Sequence, residues 1–218
     1  MTLPPLTLPP HPAFVEQVRE RLREPLPGLE AQLRMGPPQR GAPEQWTEAQ
    51  QHARRAAVLV LLYPFQNTTG LVLTQRHADL RDHSGQIAFP GGSIDGEETP
   101  VEAALREGWE EVGVDPKMPD VLGTMTDLYI PPSDFTVTPV VASIGERPVF
   151  RPQEEEVDTI IEVPLTALLD ARSRRSALWT LQGREVEIPY FDFEGYEIWG
   201  ATAMMLAELL ALVRAEGV

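Results

Sequence analysis

Glu107, Glu110 and Glu111 fall close together in a segment with helical periodicity. At i, i+3 and i+4 spacing they are neighbours on one helix face, where like charges repel. They also sit in the last turns, where the helix dipole disfavours negative charge. Each penalty runs from a few tenths to about 1 kcal/mol, and both act in the same direction. Such an arrangement is poor for stability and well suited to gripping a hard cation. Mg²⁺ takes carboxylate and water oxygens and often shares its shell with substrate phosphates. Taken alone, a glutamate-rich face is more commonly just solvated surface.

The helix that carries them is well delimited. Thr99 is a good N-cap, Pro100 suits the first helical position, and Glu102 completes a capping box with Thr99. Gly113 suits the C-terminal cap. The spacing predicts a helix from about Pro100 to Val112, with Val101, Leu105, Gly108 and Val112 on a stripe facing the core. Glycine inside a helix costs about 1 kcal/mol relative to alanine, so Gly108 calls for a close approach by a neighbouring strand.

Residues 92–114 resemble the Nudix box: Gly92, Glu98, Arg106, Glu107, Glu110, Glu111, Gly113 and Val114 stand in its register. Gly108 departs, where the pattern has an aliphatic residue. The resemblance implies an α+β Nudix fold, a mixed β-sheet sandwiched between helices, and hydrolysis of a nucleoside diphosphate linked to another moiety. It further implies that Glu107, Glu110 and Glu111 bind Mg²⁺ or Mn²⁺. Arg106 would orient one of these carboxylates, and Glu98 would be an accessory ligand or a support for the loop.

The preceding segment, LVLTQRHADLRDHSGQIAFPGG at residues 71–92, is similar to the signature of the CoA diphosphatase branch of that family. Leu73, Thr74, Arg76, Arg81, Gly85, Phe89, Pro90, Gly91 and Gly92 match, while Val72 replaces a leucine and His77 a serine. The run SDFTVTPVV also resembles the family. This narrower resemblance implies cleavage of coenzyme A to 4′-phosphopantetheine and adenosine 3′,5′-bisphosphate.

The chemistry of that segment also stands on the residues. Arg76, His77, Arg81 and His83 form a basic patch beside the acidic helix, and arginine's planar fork suits phosphate oxygens. Gly91 and Gly92 let backbone come close to a ligand. Arg76, Arg81, Gly91 and Gly92 are therefore the expected substrate-binding residues. The same arginines could equally pair with surface carboxylates. The general base is open between a box glutamate and Glu154, Glu155 or Glu156, a run that could also be a solvated loop.

The elements that must position these groups are legible in outline. Residues 1–50 are expected to form an N-terminal arm packed on the core: an extended proline-rich start, a short helix from Phe14 to about Glu24, then loops. Residues 51–218 are the expected catalytic domain. AAVLVLLYP reads as a central strand buried on both faces. Strand-like segments follow at LVLTQR, QIAF, VLGTMTDLYI, FTVTPVVASI, TIIEVPL, ALWTLQG and REVEIPYFDF, the last two joined at Gly183. Pro139 argues for an edge or a bulge in its strand. A helix from Gly200 or Ala201 to Arg214 closes the chain.

Composition limits the remaining classes. The 218 residues are 42% hydrophobic and 23% charged, as in a globular protein, with a net charge of -15. That charge disfavours nucleic-acid binding. There are no cysteines, which excludes disulfides and thiolate chemistry. The start MTLPPLTLPP lacks a basic n-region, and the apolar run from Ala201 to Val213 is too short for a bilayer span and is broken by Glu208. A cytoplasmic protein without membrane partners, acting on a small molecule as a monomer or homodimer, is expected. Three functions remain open: a CoA diphosphatase, a hydrolase of another dinucleotide such as ADP-ribose or NADH, and a catalytically silent module that binds a nucleotide or a protein.

Overall fold

The computed structural model describes residues 8–37, 47–77, 85–181 and 183–214. Its centre is β1 (Arg54–Phe65). This strand pairs antiparallel with β2 (Thr68–Arg76) and parallel with β7 (Phe135–Ser143). It also meets the short β4 (Gly91–Ser93), through the pairs Ala57 with Gly92 and Val58 with Gly91. Beyond β2 lie β3 (Ile87–Ala88) and β8 (Val157–Pro164); beyond β7 lie β5 (Asp120–Thr124) and β6 (Leu128–Ile130). The result is a mixed sheet, as the α+β reading expects.

The unbroken apolar run of β1 has a simple cause. Alternate side chains of a strand point to opposite faces. Leu59, Leu61 and Tyr63 pack with Ala103, Ala104 and Val112 of α4 (Pro100–Val112). Val60 and Leu62 pack on the other face with Phe14, Val15 and Val18 of α1 (His11–Arg21) and with Met204, Leu206 and Leu210 of α6 (Gly200–Arg214). Helices thus cover both faces, and the mid-strand side chains from Leu59 to Tyr63 are fully buried.

Two readings are corrected by the topology. The segment from Val121 to Ile130 is not one strand: it breaks between Thr124 and Leu128 into β5 and β6. Pro139 is not on an edge strand, because β7 is flanked by β1 and by β5 and β6. The register shift in this region lies on β5, between Val121 and Gly123. The Pro139 carbonyl accepts from Met125 N–H at 2.9 Å, so this side of the proline faces the gap between β5 and β6. The ladder is interrupted where the missing donor would have been needed.

The remaining elements form a second layer. The helix α2 (Gly28–Leu33) packs on α6, and α3 (Thr47–His52) leads into β1. After α5 (Leu165–Leu169) and a single 3-10 turn, β9 (Arg174–Leu181), β10 (Arg184–Phe193) and β11 (Tyr196–Trp199) make a separate antiparallel sheet, the last of them unforeseen in the sequence. The N-terminal region is tied in by His11. Its ring nitrogens lie 3.0 Å from Thr69 Oγ1 and 3.1 Å from the Ile144 carbonyl. Among the described residues, no helix is long and apolar enough to cross a membrane.

Candidate active site

The acidic helix forms as its ends dictate. Thr99 Oγ1 accepts from Glu102 N–H at 3.2 Å, and Glu102 Oε2 accepts from Thr99 N–H at 2.8 Å. Gly113 closes the helix in the left-handed region, with φ of 75°. The buried face is rotated from the predicted stripe. Ala103, Ala104, Gly108, Glu111 and Val112 are buried, whereas Val101 and Leu105 are only partly so. Gly108 rests against β1: a methyl there would fall 2.5 Å from Leu59 Cδ2. The departure from the aliphatic pattern is therefore a packing device.

Rotation puts one of the three glutamates into the protein. Glu111 is 3% exposed, Glu107 is partly buried, and Glu110 faces solvent. Burial pushes the Glu111 carboxyl up to about 8. The Arg76 guanidinium and the Gly91 N–H pull it down, while Glu107 and Glu156 push it further up. Burial also raises Glu107, against the opposing pull of Arg106.

Arg106 organises the neighbouring carboxylates. It donates to Glu98 from Nε at 2.9 Å and from Nη2 at 3.1 Å. From Nη1 it donates to Glu107 Oε1 at 2.8 Å and Glu110 Oε2 at 3.0 Å, and from Nη2 to the Ser93 carbonyl at 3.0 Å. One guanidinium thus fixes three acidic side chains and ties α4 to β4. Glu98 also accepts from Asp95 N–H at 3.1 Å and is held below the usual carboxylate range by Arg106. It braces the loop before α4 and is not part of the cleft wall.

A cleft of about 390 Å³ opens over this helix, lined by Arg76, Gly91, Gly92, Glu107, Glu110, Glu111, Gln153 and Glu156. The two glycines are required by sterics. A Cβ on Gly91 would lie 2.5 Å from the Ala57 carbonyl oxygen, and one on Gly92 would lie 2.2 Å from Glu107 Oε1. Gly91 lets β4 reach β1, and Gly92 makes room for the Glu107 carboxylate. Arg76 stands opposite, with Nη1 3.5 Å from Glu111 Oε1 and Nη2 3.7 Å from Glu156 Oε2. Arg81 and His83 lie outside the described residues. The His77 N–H donates to the Glu156 carbonyl at 3.0 Å.

Of the late acidic run, Glu156 lines the cleft, whereas Glu154 and Glu155 do not. Gln153 was not foreseen. Its N–H donates to the Glu111 carbonyl at 3.0 Å, and its side-chain Oε1 is buried with no hydrogen-bond partner among the described residues. Neither residue has a spacing signal, because their proximity to α4 comes from the return of the chain into β8.

The donors suit a hard dication: carboxylates of Glu107, Glu110 and Glu111 and the orphan Gln153 carbonyl are all oxygens on one cleft. Among the described residues, no three histidine or acidic side chains stand converged as a ready chelate. Arg106 holds Glu107 Oε1 and Glu110 Oε2 instead. Binding a dication would require those side chains to turn from Arg106 toward Glu111.

Fold and site together define a hydrolase class built on a loop–helix–loop against a mixed sheet. The NUDIX domain model matches residues 53–180, and the chain belongs to the Nudix family. It is a hydrolase of diphosphate bonds in nucleoside diphosphate derivatives. Similar proteins from Salmonella paratyphi B and Salmonella newport, each described as an uncharacterized Nudix hydrolase, NudL, are 37% identical to it over 170 residues, covering 76% of this chain and 85% of theirs. Two solved structures share the fold. The Nudix hydrolase RenU from M. smegmatis has a TM-score of 0.52 at 20% identity, covering 76% of this chain and 89% of that one. A MutT/nudix family protein from Enterococcus faecalis has a TM-score of 0.50 at 16% identity, covering 84% and 73%.

Proposed function

We propose that the cleft over α4 cleaves the diphosphate of coenzyme A or a CoA derivative with Mg²⁺ or Mn²⁺ bound by Glu107, Glu110 and Glu111. The observation that carries the metal-dependent part is Glu111: a buried carboxylate faced by two other carboxylates and offset, among the described residues, by the Gly91 N–H and the loosely placed Arg76. A dication bound there would neutralise the diphosphate and polarise a water.

The chain's own groups supply the rest. Arg76 is held by pairs of 3.5 and 3.7 Å, long enough for incoming phosphate oxygens to replace them. Arg106 holds Glu107 and Glu110 at the cleft rim, from which they would turn toward Glu111 when a dication binds. The Gln153 carbonyl offers an unused acceptor for a water or a substrate donor. The proton acceptor lies among Glu107, Glu110, Glu111 and Glu156, which share the cleft. Support for CoA as substrate comes from the residue 71–92 pattern, of which Arg76, Gly91 and Gly92 line this cleft.

The test is incubation of the purified chain with CoA, ADP-ribose and NADH, with and without Mg²⁺ or Mn²⁺, with product identification. The expected outcome is metal-dependent release of 4′-phosphopantetheine and adenosine 3′,5′-bisphosphate, faster than turnover of the other two. Faster turnover of ADP-ribose or NADH would overturn the CoA assignment. Undiminished turnover in excess EDTA would overturn the role of the metal.

A further inference from the structure

A second cleft, of about 240 Å³, is lined by Pro27, Arg34, Arg174, Ala207, Ala211 and Arg214. Its three arginines come from separate parts of the chain: the C-cap of α2, the first residue of β9 and the last residue of α6. The small side chains of Ala207 and Ala211 leave the space between them open. This cleft belongs to the layer of α2 and α6, which covers the sheet face opposite α4. It is therefore distinct from the cleft proposed for catalysis.

The charge arrangement is unusual for this chain, which has 33 acidic and 18 basic side chains. Several other arginines find carboxylates: Arg19 meets Asp120 at 2.6 Å, Arg147 meets Glu162 at 2.5 Å and Arg175 meets Asp192 at 2.8 Å. Among the described residues, the carboxylate paired with Arg34 is an exposed one within its own turn, Glu30 at 3.4 Å. Among the described residues, no carboxylate pairs with Arg174 or Arg214. Partial desolvation and the neighbouring Arg214 and Arg34 charges all pull the Arg174 guanidinium below its ordinary pKa, although the residue as a whole is exposed. Two of the guanidinium groups have further contacts. Arg214 Nη2 donates to the Leu169 carbonyl, and Arg174 lies 5.9 Å from the centroid of the Phe191 ring. Three cations converge on this space, and among the described residues the carboxylate paired with any of them is the exposed Glu30.

We propose that this arginine triad is a binding site for a phosphate-class oxyanion. Guanidinium forks match the oxygens of a phosphate group, and a bound anion relieves the mutual repulsion of the three cations. The cleft is smaller than the ~300–1,000 Å³ typical of drug-sized ligands, which suits a phosphate or diphosphate group with anything larger left outside. The site does not depend on the assignment of substrate in the other cleft.

The test is calorimetric titration of the full chain with inorganic phosphate and, separately, with AMP, at constant ionic strength in EDTA, so that no metal draws phosphate to the α4 cleft. Saturable binding is expected, weakened about tenfold or more in Arg174→Gln, weakened less in Arg174→Lys, which keeps the charge and loses the fork, and unchanged in Arg76→Gln. Tighter binding of AMP than of phosphate would assign the oxyanion to a nucleotide; equal binding would assign it to the free ion. Arg174 is exposed and its substitution leaves the Arg214–Leu169 tie intact, so folding of the variant is checked by its melting temperature without ligand. The proposal is overturned if nothing saturates, if folded Arg174→Gln binds like the parent, or if Arg76→Gln removes the binding instead.

Discussion

Two glutamates are buried in helices on opposite faces of the same sheet, and they differ in what surrounds them. Glu208 in α6 is fully buried and accepts from Gly28 N–H at 3.1 Å, Gln32 Nε2 at 2.8 Å and Thr126 N–H at 3.3 Å. It joins α2, the loop before β6 and α6 into one unit. Glu111 in α4 is almost as buried, yet beside the Gly91 N–H it meets an arginine at 3.5 Å and feels two further carboxylates. The first is a structural charge, because its lone pairs are used. The second is less fully paired and lies in a cleft, where a strongly raised carboxyl marks a candidate functional group.

The sharpest break of this contrast is the pair of substitutions at these positions. Glu111→Gln is expected to lower turnover about 10³-fold, the scale of losing one key electrostatic group, with the melting temperature unchanged or raised. Glu208→Ala should leave turnover per folded molecule nearly intact. It should cost about 3–5 kcal/mol in urea unfolding, because three donors lose their acceptor in the interior. Unfolding of Glu111→Gln together with a stable Glu208→Ala would reverse the two roles.

The adjacent glycines divide in the same way. Gly91→Ala sets a methyl against the Ala57 carbonyl of β1, so it should lose about 1–3 kcal/mol of stability as β4 is forced away. Gly92→Ala instead sets a methyl on the Glu107 carboxylate, and should lower turnover more than it lowers the unfolding midpoint. Equal effects on stability would show that Gly92 is structural as well.

A pH series sharpens the comparison further. The folded Glu111 carboxyl is raised to about 8 from an ordinary 4.5. The unfolded chain therefore releases this proton first, and the associated stability is complete below pH 4.5 and lost as pH rises through 8. In EDTA, unfolding free energy should decline from about pH 5 to 9, and Glu111→Gln should flatten that slope. A slope unchanged by the substitution would place the titration elsewhere. The smallest effect is expected at Gly108→Ala. The helix gains about 1 kcal/mol in propensity, against an overpacking cost of about 1–3 kcal/mol at Leu59. A net loss of about 1 kcal/mol in urea is expected, and a net gain would show that Leu59 yields freely.

The acidic helix with both its caps, the central strand buried on two faces and the closing apolar helix are all legible in the order of the amino acids. These are local properties: cap chemistry, hydrophobic period and glycine placement are written within a few residues of where they act. Tertiary structure alone decided which glutamate is buried, because a stripe estimated from hydrophobicity favours Val101 and Leu105 over the small Ala103 and Ala104 that a close strand selects. It alone brought Gln153 and Glu156 to the cleft and put Pro139 inside the sheet at a gap in the ladder. It also turned Glu208 from an interruption in an apolar run into a buried tie, and gathered Arg34, Arg174 and Arg214 from distant parts of the chain. Such pairings depend on which surfaces pack across the sheet, and no short-range pattern encodes them.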